Sequence, residues 1–151
     1  MITSGLPLND GEVQEFIRAT LAEDLGERGD VTSRFVVPET ARLKAVMAAR
    51  EPMVVAGLPL AVGFFRQLDP DCTIETKAND GDRVDAGAEL MVVTGAARAL
   101  LTAERSALNT VQHLSGIATL TRKYVDAIEG TGAVLLDTRK TIPGLRLLEK
   151  Y

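Results

Sequence analysis

The sequence predicts an α+β protein, and three observations predict it. Short alternating segments in the middle of the chain flank a strong turn signal, Asn79-Asp80-Gly81-Asp82. Helical periodicity brackets them on both sides. A run of small and branched residues, Ala133-Val134-Leu135-Leu136, then follows a long stretch free of proline.

Each element has its own cause. Asn9 and Glu12 have the spacing of a capping box. Val13, Phe16, Ile17, Leu21 and Leu25 recur at helical intervals, and Gly26 offers a C-cap, so a helix is expected from Asp10 to Leu25. Gly26 to Ser33 reads as a loop, in which Asp30 either caps a short turn or meets a partner; the structural role takes precedence. Arg42 to Glu51 reads as a strand that turns at Pro52. Leu58 to Leu68 reads as a helix stopped by Asp69-Pro70-Asp71. Thr73 to Lys77 and Glu89 to Thr94 are strands on either side of the Asn79–Asp82 turn.

From Ala97 to Glu129 the chain lacks proline, and Gly116 is its only glycine. A helix of that length spans roughly 48 Å. Leu100, Ala107, Val111, Leu114, Ala118, Val125 and Ile128 fall on one side of it, and Arg105, Asn109, Gln112, His113 and Gly116 on the other. Ser106 to Thr121, sixteen residues, contains no Asp, Glu, Lys or Arg. Solvated faces are seldom so free of charge, so protein is expected on both sides. Gly116 then suggests close approach of another backbone. Arg105 on a covered face needs an anion. Glu104 projects about 100° away, which leaves a neighbouring chain or a ligand. His113 reads as a hydrogen-bonding residue at an interface or behind the site before it reads as a catalyst.

Asp137-Thr138-Arg139-Lys140-Thr141 directly follows the apolar run and is closed by Ile142-Pro143-Gly144. Two adjacent cations and two hydroxyls at the end of a strand ask for an anionic ligand, a carboxylate or a phosphate. From Asp137 to Tyr151 four cations (Arg139, Lys140, Arg146, Lys150) face two acids (Asp137, Glu149), although the whole chain carries −4. That negative total argues against general nucleic-acid binding. Hydrophobic content of 46% and charged content of 25% are those of a soluble globular protein. No apolar run is long enough to span a membrane, and Met1 to Pro7 lack the features of a signal peptide. A single cysteine, Cys72, forms no internal disulfide and suits a reducing cytoplasm; a lone histidine excludes a His-rich metal site.

Six segments in order carry a resemblance: Glu23 to Ser33, Arg50-Glu51, Ala56-Gly57-Leu58, Leu101-Thr102-Ala103-Glu104-Arg105, His113 to Thr119, and Asp137 to Arg146. Together they resemble the quinolinate phosphoribosyltransferases, the carboxylating nicotinate-nucleotide pyrophosphorylases of NAD biosynthesis, from about Glu23 to Tyr151. The resemblance implies a barrel-sandwich-like amino-terminal domain over residues 1–112. It also implies the start of an α/β barrel over 113–151, with Ala133–Leu136 as its first strand and the rest of the barrel beyond Tyr151. On that expectation the strand is an unpaired apolar edge, prone to aggregate unless another chain covers it.

Arg105, Thr138, Arg139 and Lys140 are implied to bind substrate, with Arg139 and Lys140 catalytic by orientation and charge. Arg105 is implied to serve the other subunit of a homodimer. The implied substrates are quinolinate and phosphoribosyl pyrophosphate, the latter with Mg²⁺ whose ligands lie outside this chain. Other readings remain open: a pyrophosphorylase-like paralogue from molybdate-uptake clusters, or a non-catalytic dimerisation domain. The Asp80–Leu90 segment also resembles biotinyl and lipoyl carrier hairpins, but Lys77 precedes the turn and lacks a carrier lysine's apolar flanks.

Overall fold

The computed structural model describes residues 5–151; the first four, part of the stretch inspected for a signal peptide, lie outside the described residues. Helix α1 (Asp10–Leu25) forms where the periodicity places it. Asn9 Oδ1 accepts from Glu12 N at 3.0 Å, and Glu12 Oε2 accepts from Asn9 N at 2.8 Å, completing the capping box. Its face of Val13, Ile17 and Leu21 is buried. Asp30 then caps a short α2 (Val31–Val36) by accepting from Ser33 N. The structural reading of Asp30 is the one observed.

β1 (Arg42–Ala48), β3 (Thr73–Thr76) and β5 (Glu89–Ala96) form an antiparallel sheet in the order β1-β5-β3. β1 pairs with β5 from Arg42↔Ala96 onward, and a bulge falls between Met47 and Ala48. A second ribbon pairs β2 (Met53–Val54) with β4 (Arg83–Val84). Two-residue strands are too short for any period to register, so no sequence pattern announces them.

Helix α3 (Leu58–Leu68) is the centre of the core, with Leu60 and Phe64 wholly buried. Phe64 meets Phe16 of α1 edge-on, with ring centroids 6.0 Å apart. The N-cap of α3, Gly57, sits at φ 94° and has no side chain to cap the helix. Asp80 does so from the distant turn: Oδ2 accepts from Gly57 N at 2.8 Å and Oδ1 from Leu58 N at 3.0 Å. A carboxylate on those free N–H groups also meets the positive end of the helix dipole.

Helix α4 (Ala97–Ile128) follows β5 without a loop. The buried carboxylate of Asp69 holds this junction, accepting from Ala96 N at 2.7 Å. Gly95 is required beside it, because a Cβ there would collide with Asp69 Oδ2. Leu100, Ala107, Val111 and Leu114 of the apolar stripe are buried, whereas Val125 near the far end is exposed. The chain ends on α5 (Arg146–Lys150), docked through Leu148.

One expected element is not formed. Ala133–Leu136 is not a strand but an irregular, exposed segment. A strand exists through its ladder, and no described segment pairs with it, so apolar composition alone leaves it irregular.

Asp80→Ala should lower the free energy of unfolding by roughly 2–3 kcal/mol, since two helix-end N–H groups lose a charged acceptor. Asp80→Asn should cost less; urea unfolding of the two variants measures the difference.

Candidate functional site

The cationic turn is exposed and its acids are occupied elsewhere. Asp137 Oδ2 lies 2.8 Å from Lys150 Nζ. Glu149 Oε1 lies 2.9 Å from His113 Nε2, and its Oε2 accepts from Ile142 N at 3.2 Å. Thr138 Oγ1 accepts from Lys140 N at 3.1 Å, a local turn that displays Arg139 between them. Arg139 and Lys140 have no ion-pair partner among the described residues. The turn therefore presents two uncompensated cations.

Arg105 is placed differently from the expectation. Its anionic partner is in its own chain: Nη1 donates to Asp24 Oδ1 at 2.8 Å. The side chain is 71% exposed, so this single bond leaves the other guanidinium donors open. Asp24 lies at the carboxyl end of α1, whose last turn has no basic residue. An acid there opposes the helix dipole, and Arg105 offsets it. The Asp24 hydrogen bond holds the guanidinium pKa above its ordinary value.

Asp30 is the third member of this corner. Its Oδ1 accepts from Ser33 N and its Oδ2 from Thr102 Oγ1, each at 2.8 Å. Hydrogen bonds from Ser33 hold its carboxyl below the usual range; burial opposes them, and Thr102 and the nearby charge of Arg105 add to the lowering. Asp24 and Asp30 thus pin the α1–α2 junction onto Thr102 and Arg105 of α4. The Glu23–Ser33 segment signals this corner in the sequence only as a run of acids and glycines; the pairing with α4 spans more than seventy positions and has no periodic trace.

The rest of the uncharged face of α4 is open within this chain. Leu101 and Leu108 are partly exposed, Asn109 and Gln112 are exposed, and a Cβ on Gly116 would meet nothing within 4 Å. The close backbone approach expected at Gly116 is not made by this chain. Gln112 and Gly116 instead line a groove of about 630 Å³ shared with Arg50 and Glu51. His113 is half-buried and hydrogen-bonds Glu149 of its own chain. Glu149 and Lys150 enter the sequence reading only through the local charge balance; their pairing with His113, Ile142 and Asp137 has no sequence signal. Among the described residues no group of three or more His, Cys, Asp or Glu is arranged to hold a metal ion, and no helix is long and apolar enough to cross a membrane.

Residues 30–115 match the family model described as quinolinate phosphoribosyl transferase, N-terminal domain, and residues 117–151 match its C-terminal domain. The chain belongs to the quinolinate phosphoribosyltransferase family. It is 44% identical over 140 residues to a carboxylating nicotinate-nucleotide pyrophosphorylase of Mycobacterium leprae, covering 91% of this chain and 49% of that protein. The chloroplastic counterpart of Oryza sativa is 41% identical, with 93% of this chain and 37% of that protein aligned. Among solved structures, the Francisella tularensis nicotinate-nucleotide pyrophosphorylase superposes with a TM-score of 0.88 at 40% identity, over 95% of this chain and 51% of that one. NadC from Streptococcus pyogenes gives 0.90 at 36% identity, over 97% and 52%. The chain spans about half or less of the length of these members of the quinolinate phosphoribosyltransferase family.

Asp30→Ala should destabilise the chain by about 1 kcal/mol at neutral pH, the usual cost of a lost N-cap. Because the folded pKa of Asp30 is lowered, its contribution is present above the ordinary carboxylate range and is lost as pH falls through that lowered value. The gap in melting temperature between wild type and variant should therefore narrow on acidification, which thermal unfolding across a pH series reads directly.

Proposed function

We propose that the protein containing this chain transfers the phosphoribosyl group of phosphoribosyl pyrophosphate to quinolinate and decarboxylates the adduct. The products are nicotinate mononucleotide, CO2 and pyrophosphate, in the biosynthesis of NAD. One observation carries the reading at the level of the site: Arg139 and Lys140 stand exposed and uncompensated while both neighbouring acids are held by other groups. Membership of the family supplies the reaction class.

Quinolinate is a pyridine with two adjacent carboxylates, and planar guanidinium forks suit it. Arg139 binds one carboxylate, Arg105 reaches the other from a second copy of the chain, and Lys140 adds charge nearby. Thr138 contributes a hydroxyl. The ring nitrogen forms its bond to the anomeric carbon as the bond to pyrophosphate breaks. Carbon dioxide then leaves the carbon beside that nitrogen, whose positive charge stabilises the electron pair until a proton replaces the carboxylate. These side chains act by orientation and charge and form no covalent bond. The Mg²⁺ that accompanies phosphoribosyl pyrophosphate has no donor cluster among the described residues.

A homodimer fits the exposed apolar groups of α2 and α4: Phe35 is 85% and Val36 74% exposed, and Leu101 and Leu108, which flank Arg105 along α4, are exposed as well. We take residues 1–112 as the barrel-sandwich-like domain and 113–151 as the start of the barrel, which puts the border within α4. A single free cysteine suits a cytoplasmic setting.

Arg105→Ala and Arg139→Ala should each raise the quinolinate KM by roughly ten- to a hundredfold, the value of one charge-assisted hydrogen bond. Co-expression of the two variants should restore activity to about a quarter of the sites, because each mixed dimer assembles one intact site. Steady-state kinetics checks both; an absence of recovery would place Arg105 in its own subunit's site or outside the site altogether.

A further inference from the structure

The cationic turn is held at both ends by one short helix. Lys150 of α5 pairs with Asp137, immediately before Thr138. Glu149 accepts from Ile142 N, immediately after Thr141, and Arg146 Nε donates to Thr141 Oγ1 at 3.2 Å. These contacts close a ring around Thr138, Arg139 and Lys140. The helix that closes it is itself fixed, because Leu148 is in the core and the second oxygen of Glu149 meets His113 on α4. The Glu149 side chain is only 9% exposed, so its carboxylate is oriented by these two partners and not by water. His113 and Arg105 are eight residues apart on α4, about 12 Å along its axis. One rigid helix thus carries Arg105 and also the anchor of the Arg139–Lys140 turn.

We propose that Glu149 is a positioning residue that fixes the Arg139–Lys140 turn upon His113 of α4, with Lys150 as the outer tie. This rests on the functional reading above and extends it to residues that touch no substrate. The physical reason is the tolerance of a dicarboxylate site: displacing a cation by about 1 Å costs as much as weakening it chemically. Glu149 supplies an acceptor on each side, where an alanine leaves Ile142 N–H and His113 unpaired. A glutamine keeps one oxygen for Ile142 N–H and turns its amide toward the imidazole, so it retains most of the geometry.

The test compares wild type, Glu149→Ala, Glu149→Gln and Lys150→Gln in the protein as its gene encodes it. In Glu149→Ala the quinolinate KM should rise about tenfold while the KM for phosphoribosyl pyrophosphate stays within about twofold. Glu149→Gln should recover most of that loss. Amide hydrogen exchange at Lys140 and Ile142 should quicken in Glu149→Ala while exchange in α3 and β5 stays unchanged. An unchanged quinolinate KM, or unchanged exchange at those two amides, overturns the positioning role. If Glu149→Ala fails to fold, Lys150→Gln carries the same two readouts at a more exposed side chain. A wild type without phosphoribosyl transfer would defeat the functional reading, and exchange at Lys140 and Ile142 would still decide whether Glu149 holds the turn.

Discussion

The close approach of the rest of the fold to α4 is the constraint on which this structure depends. Ala103 and Ala107 are wholly buried and Ser106 and Ser115 nearly so, and these small side chains let the backbones of other elements come near. Helices α1, α2, α3 and α5 and strands β1, β2 and β5 all pack against this one helix. Two of its hydroxyls also replace a missing strand neighbour. Ser115 Oγ accepts from Ala56 N at 3.0 Å and donates to Ala56 O, while Thr119 Oγ1 accepts from Val54 N at 2.9 Å. The short ribbon of β2 and β4 is thereby tied to the helix through Val54 N and the backbone of Ala56 just beyond it. A larger residue at Ala103 or Ala107 would have no room in the core.

Charge is distributed in a similarly economical way. Several acids in this negatively charged chain are taken up by defined structural tasks. Asp80 caps α3, Asp69 holds the start of α4, Asp30 caps α2, and Asp24 pairs with Arg105. Asp80 also accepts from Tyr151 Oη at 3.1 Å, and burial together with that carboxylate pushes the phenol pKa up to about 12. The carboxyl-terminal helix is thus attached to the α3 cap as well as to His113. With Asp137 and Glu149 occupied, positive charge survives where Arg139 and Lys140 are exposed. Net charge is therefore a poor guide to the ligand, whereas the pairing of each acid is a good one.

Much of the fold was legible from local pattern. The capping box at Asn9 and Glu12, the apolar spacing of α1, the breaker at Asp69-Pro70 and the proline-free span of α4 each follow from interactions a few residues apart. The cationic turn was legible as well, because Arg139 and Lys140 are adjacent in sequence and flanked by an apolar run and a Pro-Gly stop. Ala133–Leu136 shows the limit of that reasoning. Its composition is that of a strand, but a strand also requires a partner, and partnership is a property of the surrounding chain.

The sequence by itself determined the helices, the main strands, the display of two cations on a turn, and the family motifs that carry the resemblance. These are short-range matters of propensity, capping and order along the chain. Tertiary structure alone decided that Asp24 answers Arg105 and that Asp80 caps a helix more than twenty positions away. It also decided that Glu149 joins the cationic turn to His113. Those contacts depend on where packing of the apolar faces brings distant polar groups together. A charged side chain carries no mark of its partner until burial of the core has fixed the distance between them.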